Sequence, residues 1–254
     1  MQKETEKFKD SAILEGMTSI SALLAAGEEN DRKILRVLID RDKRRSRAAQ
    51  IGFLTAKSHE LGFPIEFTDH ETIESLALGS THGGILAECT QRTIPILTAD
   101  KILPNGFYVY LDGIEDPYNF GYALRSLYAA GVSGIILPPR NWMSAAGVVA
   151  RASAGASERI PTFTADSEEA VKLLRTVGYT VLCAGIRDSV SIYDEHFSYP
   201  LLLIVGGEKR GISASLLSLA DRVVRIDYGT DFQGSLSAAS AATVMAFEIF
   251  RQNR

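Results

Sequence analysis

The chain has 254 residues, 46% of them hydrophobic and 23% charged, and 27 basic against 31 acidic side chains leave a net charge of −4. This suits one large domain or two ordinary ones; no apolar run approaches the roughly 20 residues that cross a bilayer, and the charged opening MQKETEKFKDS lacks the apolar core of a signal peptide. Cys89 and Cys183 lie in apolar runs and read as buried thiols, and His59, His70, His82 and His196 are scattered, so the expectation is a cytoplasmic protein without metal.

Residues 1–98 read as a small α/β unit with helix Ser11 to Ala26, strand Ile34 to Ile39, helix Arg44 to Leu61, strand Ile65 to Phe67, helix His70 to Leu78 and strand Gly84 to Cys89. Between Asp31 and Arg47 stand eight basic residues (Arg32, Lys33, Arg36, Arg41, Lys43, Arg44, Arg45, Arg47) against Asp31, Asp40 and Asp42, a local excess of five positive charges in an acidic chain. Such a cluster can hold phosphates, although it also suits a solvated face. The turn Thr81-His82-Gly83-Gly84 leads into the last strand. Thr93 to Asn105, stiffened by Pro95 and Pro104, reads as a linker, placed at 99–105, ahead of a second domain at 106–254.

From Gly106 the alternation becomes regular: strand Tyr108 to Leu111, helix Gly121 to Ala130, strand Gly134 to Leu137, helix Ala145 to Arg151, helix Glu168 to Thr176 and strand Thr180 to Ala184. Strand Leu201 to Val205, a helix-like segment Ser213 to Ala220, strand Val223 to Ile226 and helix Ala238 to Arg251 complete it. This pattern argues for a parallel sheet covered on both faces. Three strand-to-loop-to-helix units carry polar or glycine-bearing loops where α/β proteins build their sites. In the first, Asp116-Pro117-Tyr118-Asn119-Phe120-Gly121 and Arg125 put Asn119 and Arg125 near a helix start. The second, Gly206-Gly207-Glu208-Lys209-Arg210-Gly211, lacks the ending of a P-loop and the spacing of a dinucleotide fingerprint. The third places Gly234-Ser235-Leu236-Ser237 ahead of the last helix.

Together these segments resemble the SpoU (TrmH-like) family of RNA ribose 2′-O-methyltransferases, of the SPOUT class, whose motifs look like DPxNxGxxxR, a strand followed by GxExxG, and SLN opening a helix. Arg151-Ala152-Ser153-Ala154-Gly155-Ala156 matches the family's small-residue segment between motifs. The one departure is Ser237, where the family has asparagine; serine keeps a donor and an acceptor but is shorter. The resemblance implies an α/β chain with an RNA-binding-like N-terminal domain and a parallel-sheet C-terminal domain tied in a trefoil knot. It also implies a homodimer in which the first-motif arginine serves the partner's site, and methyl transfer from S-adenosylmethionine to a ribose 2′-hydroxyl of rRNA or tRNA.

Carried onto this sequence, the family's catalytic positions are Asn119, Arg125, Glu208, Ser235 and Ser237. Arg125 is read here as a clamp on the target phosphate, since a guanidinium resists taking up a proton. Asn119 would orient the hydroxyl, Glu208 would order its loop or accept a proton, and the base stays open. The cofactor would rest on Ala184, Gly185, Gly206, Gly207, Gly211, Ile226 and Leu236, with the two apolar side chains against the adenine. Arg44, Arg45 and His82 are the candidate RNA contacts. Two other readings stand beside this one: a non-catalytic RNA-binding relative, favoured by Ser237, and a nucleotide-binding α/β protein unrelated to RNA, favoured by the net charge.

Overall fold

The computed structural model describes residues 13–28, 30–139, 145–207 and 211–254. Along the chain run β1 (Ile13–Glu15), α1 (Gly16–Leu24), β2 (Ile34–Asp40), α2 (Ala48–Leu61), β3 (Ile65–Thr68), α3 (His70–Leu76), β4 (Ile85–Cys89) and β5 (Phe107–Asp112). Then follow α4 (Pro117–Ala129), β6 (Gly134–Leu137), α5 (Ala146–Ala152), α6 (Ala156–Arg159), β7 (Thr162–Thr164), α7 (Ser167–Thr176) and β8 (Thr180–Ala184). The last elements are β9 (Val190–Ser191), β10 (Leu201–Gly206), α8 (Ala214–Leu217), β11 (Arg222–Arg225) and α9 (Ala238–Gln252). The chain forms two compact units that change over between Thr93 and Ile94, and α5 and α6 fold with the first of them.

In the first unit a four-stranded sheet runs β1-β4-β2-β3, with β2 and β3 parallel and the other pairs antiparallel. Its core joins Leu14, Ile20, Val37, Ile39, Leu54, Ile85 and Ala87 with Ala150 of α5. The expected helix from Ser11 is replaced, over its described part, by β1 and then α1. Gly16 sits at φ +72°, a left-handed conformation that breaks a continuous helix there, and Ile13 to Glu15 pair with β4 instead. Gly155, at φ +82°, admits α1: an added Cβ would lie 2.4 Å from Ala22 Cβ and 3.0 Å from the Thr18 carbonyl oxygen. The Arg32 Nε–Glu158 Oε2 ion pair, 3.0 Å long and closed to solvent, fixes α6 to this unit, and Arg32 also donates to the Thr90 carbonyl at 2.9 Å.

The second unit holds a seven-stranded, all-parallel sheet in the order β7-β6-β5-β10-β8-β11-β9. Phe107 to Leu111 and Leu201 to Val205 are buried throughout, as expected for central strands covered on both faces. Each fully buried large side chain contributes about 1.5–3 kcal/mol, so Leu203→Ala at the centre would destabilise by roughly 2–5 kcal/mol. The stretch read as linker is pinned to this core. Leu97 and Ile102 are buried in it, Leu97 N–H donates to the Thr164 carbonyl at 2.9 Å, and Tyr179 Oη accepts from Gly106 N–H at 3.1 Å. Burial pushes the Tyr179 hydroxyl up to about 12, so it stays protonated and donates to the Leu103 carbonyl. Among the described residues no helix is long and apolar enough to cross a membrane.

Candidate active site

In the second unit β5, β6 and β7 step toward one edge, whereas β10, β8, β11 and β9 fill the other side. The chain's progress across the sheet therefore reverses beside the β5/β10 pair, and such a reversal leaves a crevice at the carboxyl ends of parallel strands. Gly185 follows β8, Gly207 follows β10, Ile226 follows β11, and α4 opens after β5. Since β5, β10, β8 and β11 are consecutive neighbours, these segments share one rim.

The rim is shaped by absent Cβ atoms. A Cβ on Gly207 would lie 2.4 Å from the Gly113 carbonyl oxygen, and one on Gly206 would lie 2.5 Å from Gly211 C and 2.7 Å from Ile212 N. These neighbours are backbone and cannot swing aside. Gly211 N–H donates to the Gly207 carbonyl at 3.0 Å, closing the loop on itself. At Gly185 an added Cβ would meet Val223 Cγ1 at 2.8 Å, and its N–H donates to the Val224 carbonyl at 2.9 Å. Ala184 ends β8 half-buried. Glu208 lies outside the described residues.

The loop from Asp227 to Ser237 is held by residues that sequence reasoning passed over. Tyr228 and Phe232 pack with ring centroids 5.8 Å apart, and Phe232 covers Gly234 so closely that a Cβ there would lie 2.3 Å from its ring. Tyr228 Oη accepts from Leu236 N–H at 3.2 Å. Arg225 pairs with Asp227 at 2.8 Å; hydrogen bonds from Ser191 and then Arg225 hold the Asp227 carboxyl below the usual carboxylate range. Aromatics in a short polar loop were the available signal. Ile226 and Leu236 are only half-buried, Ser235 is exposed, and Ser237 caps α9 through Oγ, which accepts from Ser240 N–H at 3.2 Å. Serine and asparagine cap helices about equally well, so the departure at 237 preserves this local role.

Helix α4 starts earlier than its apolar pattern suggests, because Asp116 caps it by accepting from Asn119 N–H at 2.7 Å and Pro117 takes the first helical position. Asn119 is thus a first-turn residue and half-buried, not the junction of loop and helix. Arg125, six residues on, is about 9 Å further along the axis and roughly 120° around it. It shares no face with Asn119, which corrects the expectation of a common rim. Arg125 is exposed and has no hydrogen-bond or ion-pair partner among the described residues, and it shares its face with Tyr122, 52% exposed.

In the first unit the cluster of eight cations is divided. Arg32 is interior, bound to Glu158, and Arg36 is engaged by Glu88 at 2.6 Å and Glu66 at 3.2 Å, so neither belongs to a free phosphate-holding group. The expected helix from Arg44 begins only at Ala48. Asp40 caps a 3-10 turn at Arg41–Lys43, and residues 44–47 continue as turns. Burial alone would raise the Asp40 carboxyl, but Asp42 N–H and the His70 ring outweigh it and hold it below the usual range. Arg44 is exposed and lies 5.0 Å from the Phe67 ring centre, and Arg45 is exposed. His82 is 5% exposed; its Nδ1 accepts from Gly84 N–H at 3.0 Å, so Nε2 carries the proton given to Glu74, 3.0 Å away. Both ring nitrogens are therefore engaged within the first unit.

Comparison with known proteins agrees with this division. The SpoU rRNA Methylase family model matches residues 106–247, and the model described as RNA 2′-O ribose methyltransferase substrate binding matches residues 13–95. A 23S rRNA (guanosine-2′-O-)-methyltransferase RlmB from Shewanella oneidensis is 26% identical over 254 residues, covering 97% of this chain and 100% of its own. An uncharacterized tRNA/rRNA methyltransferase of Mycobacterium ulcerans is 29% identical over 94% of this chain and 73% of its own. The AdoMet-bound rRNA methyltransferase from Sinorhizobium meliloti superposes with a TM-score of 0.76 at 25% identity, covering 94% of this chain and 86% of that one. The motif-bearing rim of the second unit, and a family match across more than half of the sequence, place this chain in the SpoU rRNA methylase family of RNA methyltransferases.

Proposed function

We propose that the protein transfers a methyl group from S-adenosylmethionine to a ribose 2′-hydroxyl of ribosomal RNA. The observation that carries this is the rim at the carboxyl ends of β5, β10, β8 and β11, where half-buried glycines pack the loops closely together and Ile226 and Leu236 remain half-buried. These residues fit the cofactor: glycines let backbone amides and carbonyls approach a ligand, and two apolar side chains suit an aromatic ring. When bound, S-adenosylmethionine supplies a methyl group on a sulfonium, open to in-line displacement.

The chain's own part is positioning. Holding the hydroxyl in line with the methyl removes much of the barrier. Gly185, Gly206, Gly207 and the segment Ile226 to Leu236 hold the cofactor, and Asn119 orients the hydroxyl. Arg125 clamps the adjacent phosphate, which favours loss of the hydroxyl proton. Arg125 points away from the Asn119 face of its own helix, and this supports a homodimer in which the partner subunit's Arg125 completes the site. Exposed Tyr122 on α4, with exposed Phe247 and Phe250 on α9, the helix packed against it, fits the same reading. The proposal includes the trefoil knot around this rim, a cytoplasmic setting, and RNA held by the first unit through Arg44 and Arg45. The two RlmB relatives that cover 97% and 95% of this chain are named for 23S rRNA, which favours rRNA over tRNA.

Calorimetric titration with S-adenosylmethionine tests the reading. Saturable binding by the folded wild type is expected; no heat at millimolar cofactor, with the protein folded, would rule it out.

A further inference from the structure

The first unit contains a cavity of about 340 Å³, at the lower end of the range for small-ligand sites, and all its lining residues belong to that unit. Two arginines line it from elements far apart in sequence. Arg47 comes from the turn that opens α2, and Arg151 from α5. Each guanidinium is laid on a glycine of the turn before β4: an added Cβ would lie 2.9 Å from Arg47 Nη2 at Gly83 and 1.5 Å from Arg151 Nη1 at Gly79. The glycines thus make room for the two cations.

Arg47 is half-buried, and its guanidinium has no hydrogen-bond or ion-pair partner among the described residues. A partly desolvated guanidinium without a carboxylate calls for an anion. Arg151 is partly neutralised by Glu15, whose Oε2 lies 3.3 Å from Nη1 and whose other oxygen accepts from Leu78 N–H. The uncompensated charge at the cavity is therefore that of Arg47. The first turn of α1 also lines the cavity and has no side-chain cap, adding amide donors to the same end. Met17 and Ile85 supply an apolar wall.

We infer that this cavity receives one phosphodiester of the substrate RNA, with Arg47 as its main ligand and Arg151 and the α1 amides beside it. The inference rests on the reading of the first unit as the RNA-holding one and adds a seated anion site to it. An RNA strand is favoured over a free anion because the cavity lies at the end of the exposed turn that carries Arg44 and Arg45. A polyanion following that turn delivers a phosphate to Arg47, and the apolar wall suits the adjoining ribose.

Filter binding of a 23S rRNA transcript to the full chain, over a series of salt concentrations, tests this with Arg47→Ala and Thr18→Trp. Thr18 is exposed at the cavity lining, so tryptophan there fills the space without changing charge. Both variants should bind the transcript about tenfold more weakly, with a log–log salt slope shallower by about 0.7–0.9, the share of one phosphate. Their affinity for S-adenosylmethionine should be unchanged, and inorganic phosphate at fixed ionic strength should compete with RNA for the wild type more than for either variant. If Arg47→Ala does not fold, Thr18→Trp decides alone. Wild-type affinity and slope in the folded variants overturn the cavity site while the RNA reading stands. A wild type that binds no transcript removes the RNA reading, and this inference with it.

Discussion

The two units handle polar chemistry in opposite ways. In the first, a mixed sheet presents charged side chains from turns, and each cation's meaning depends on its partner: Arg32 is sealed against Glu158, Arg36 is spent on two carboxylates, and Arg47 faces a cavity. In the second, an all-parallel sheet presents backbone, and the rim is defined by what Gly206, Gly207 and Gly185 lack. The difference says where mutations should be felt. Charge changes should act on the first unit's RNA affinity, and the addition of single Cβ atoms should act on the second unit's ligand.

The largest expected effect lies in the buried pair. Glu158→Ala removes the carboxylate paired with the buried Arg32 guanidinium, and breaking a buried pair in this way costs about 3–5 kcal/mol. Urea unfolding should show a lower midpoint with an unchanged slope; an unshifted midpoint would mean that water reaches the pair. Next is Arg125→Lys, in which a point charge replaces a bidentate fork. Losing one charge-assisted contact of roughly 1.5–3 kcal/mol slows methyl transfer by about ten- to a hundredfold. Because Arg125 is exposed, stability should move by less than about 0.5 kcal/mol. An undiminished rate would take Arg125 out of the mechanism.

Gly207→Ala should destabilise by about 1–3 kcal/mol through overpacking against Gly113 and weaken cofactor binding as the β5 and β10 ends part. Melting and calorimetry check both, and a variant that tolerates alanine with full affinity would show that the rim is not set by this contact. The smallest effect belongs to Arg44→Ala with Arg45→Ala, which should lower RNA affinity about equally across sequences and flatten its salt dependence. An unchanged slope would leave these two arginines as solvated surface.

Much of the second unit was legible in sequence because its signals are local. Continuous apolar runs marked β5 and β10, and glycine after a strand marked the rim. Less was legible where long-range pairing decides. Ile13 and Leu14 suit a helix equally well, and only pairing with β4 makes them a strand. Strands β7 and β9 are three and two residues long, too short for periodicity to register. The return of α5 and α6 to the first unit depends on Arg32 meeting Glu158 across 126 positions, which no local pattern encodes. At the candidate site, Asn119, Arg125 and the glycines could be singled out only through the family resemblance of their motifs. Their relation was not legible, since the start of α4 depended on the cap at Asp116. The same limit hid the division of the cationic cluster, because charge counting cannot tell a buried arginine from a free one.

The central claim is tested most directly by incubating the protein with S-adenosylmethionine labelled in its methyl group and a 23S rRNA transcript, then digesting the RNA with alkali. A methylated 2′-oxygen cannot attack its neighbouring phosphate, so that linkage survives. The account predicts label in alkali-resistant dinucleotides, and a strong fall in that label with Arg125→Lys. Label confined to mononucleotides would place the methyl group on a base, and a protein that binds the cofactor yet labels no RNA would be a non-catalytic member of the family; either result contradicts the account.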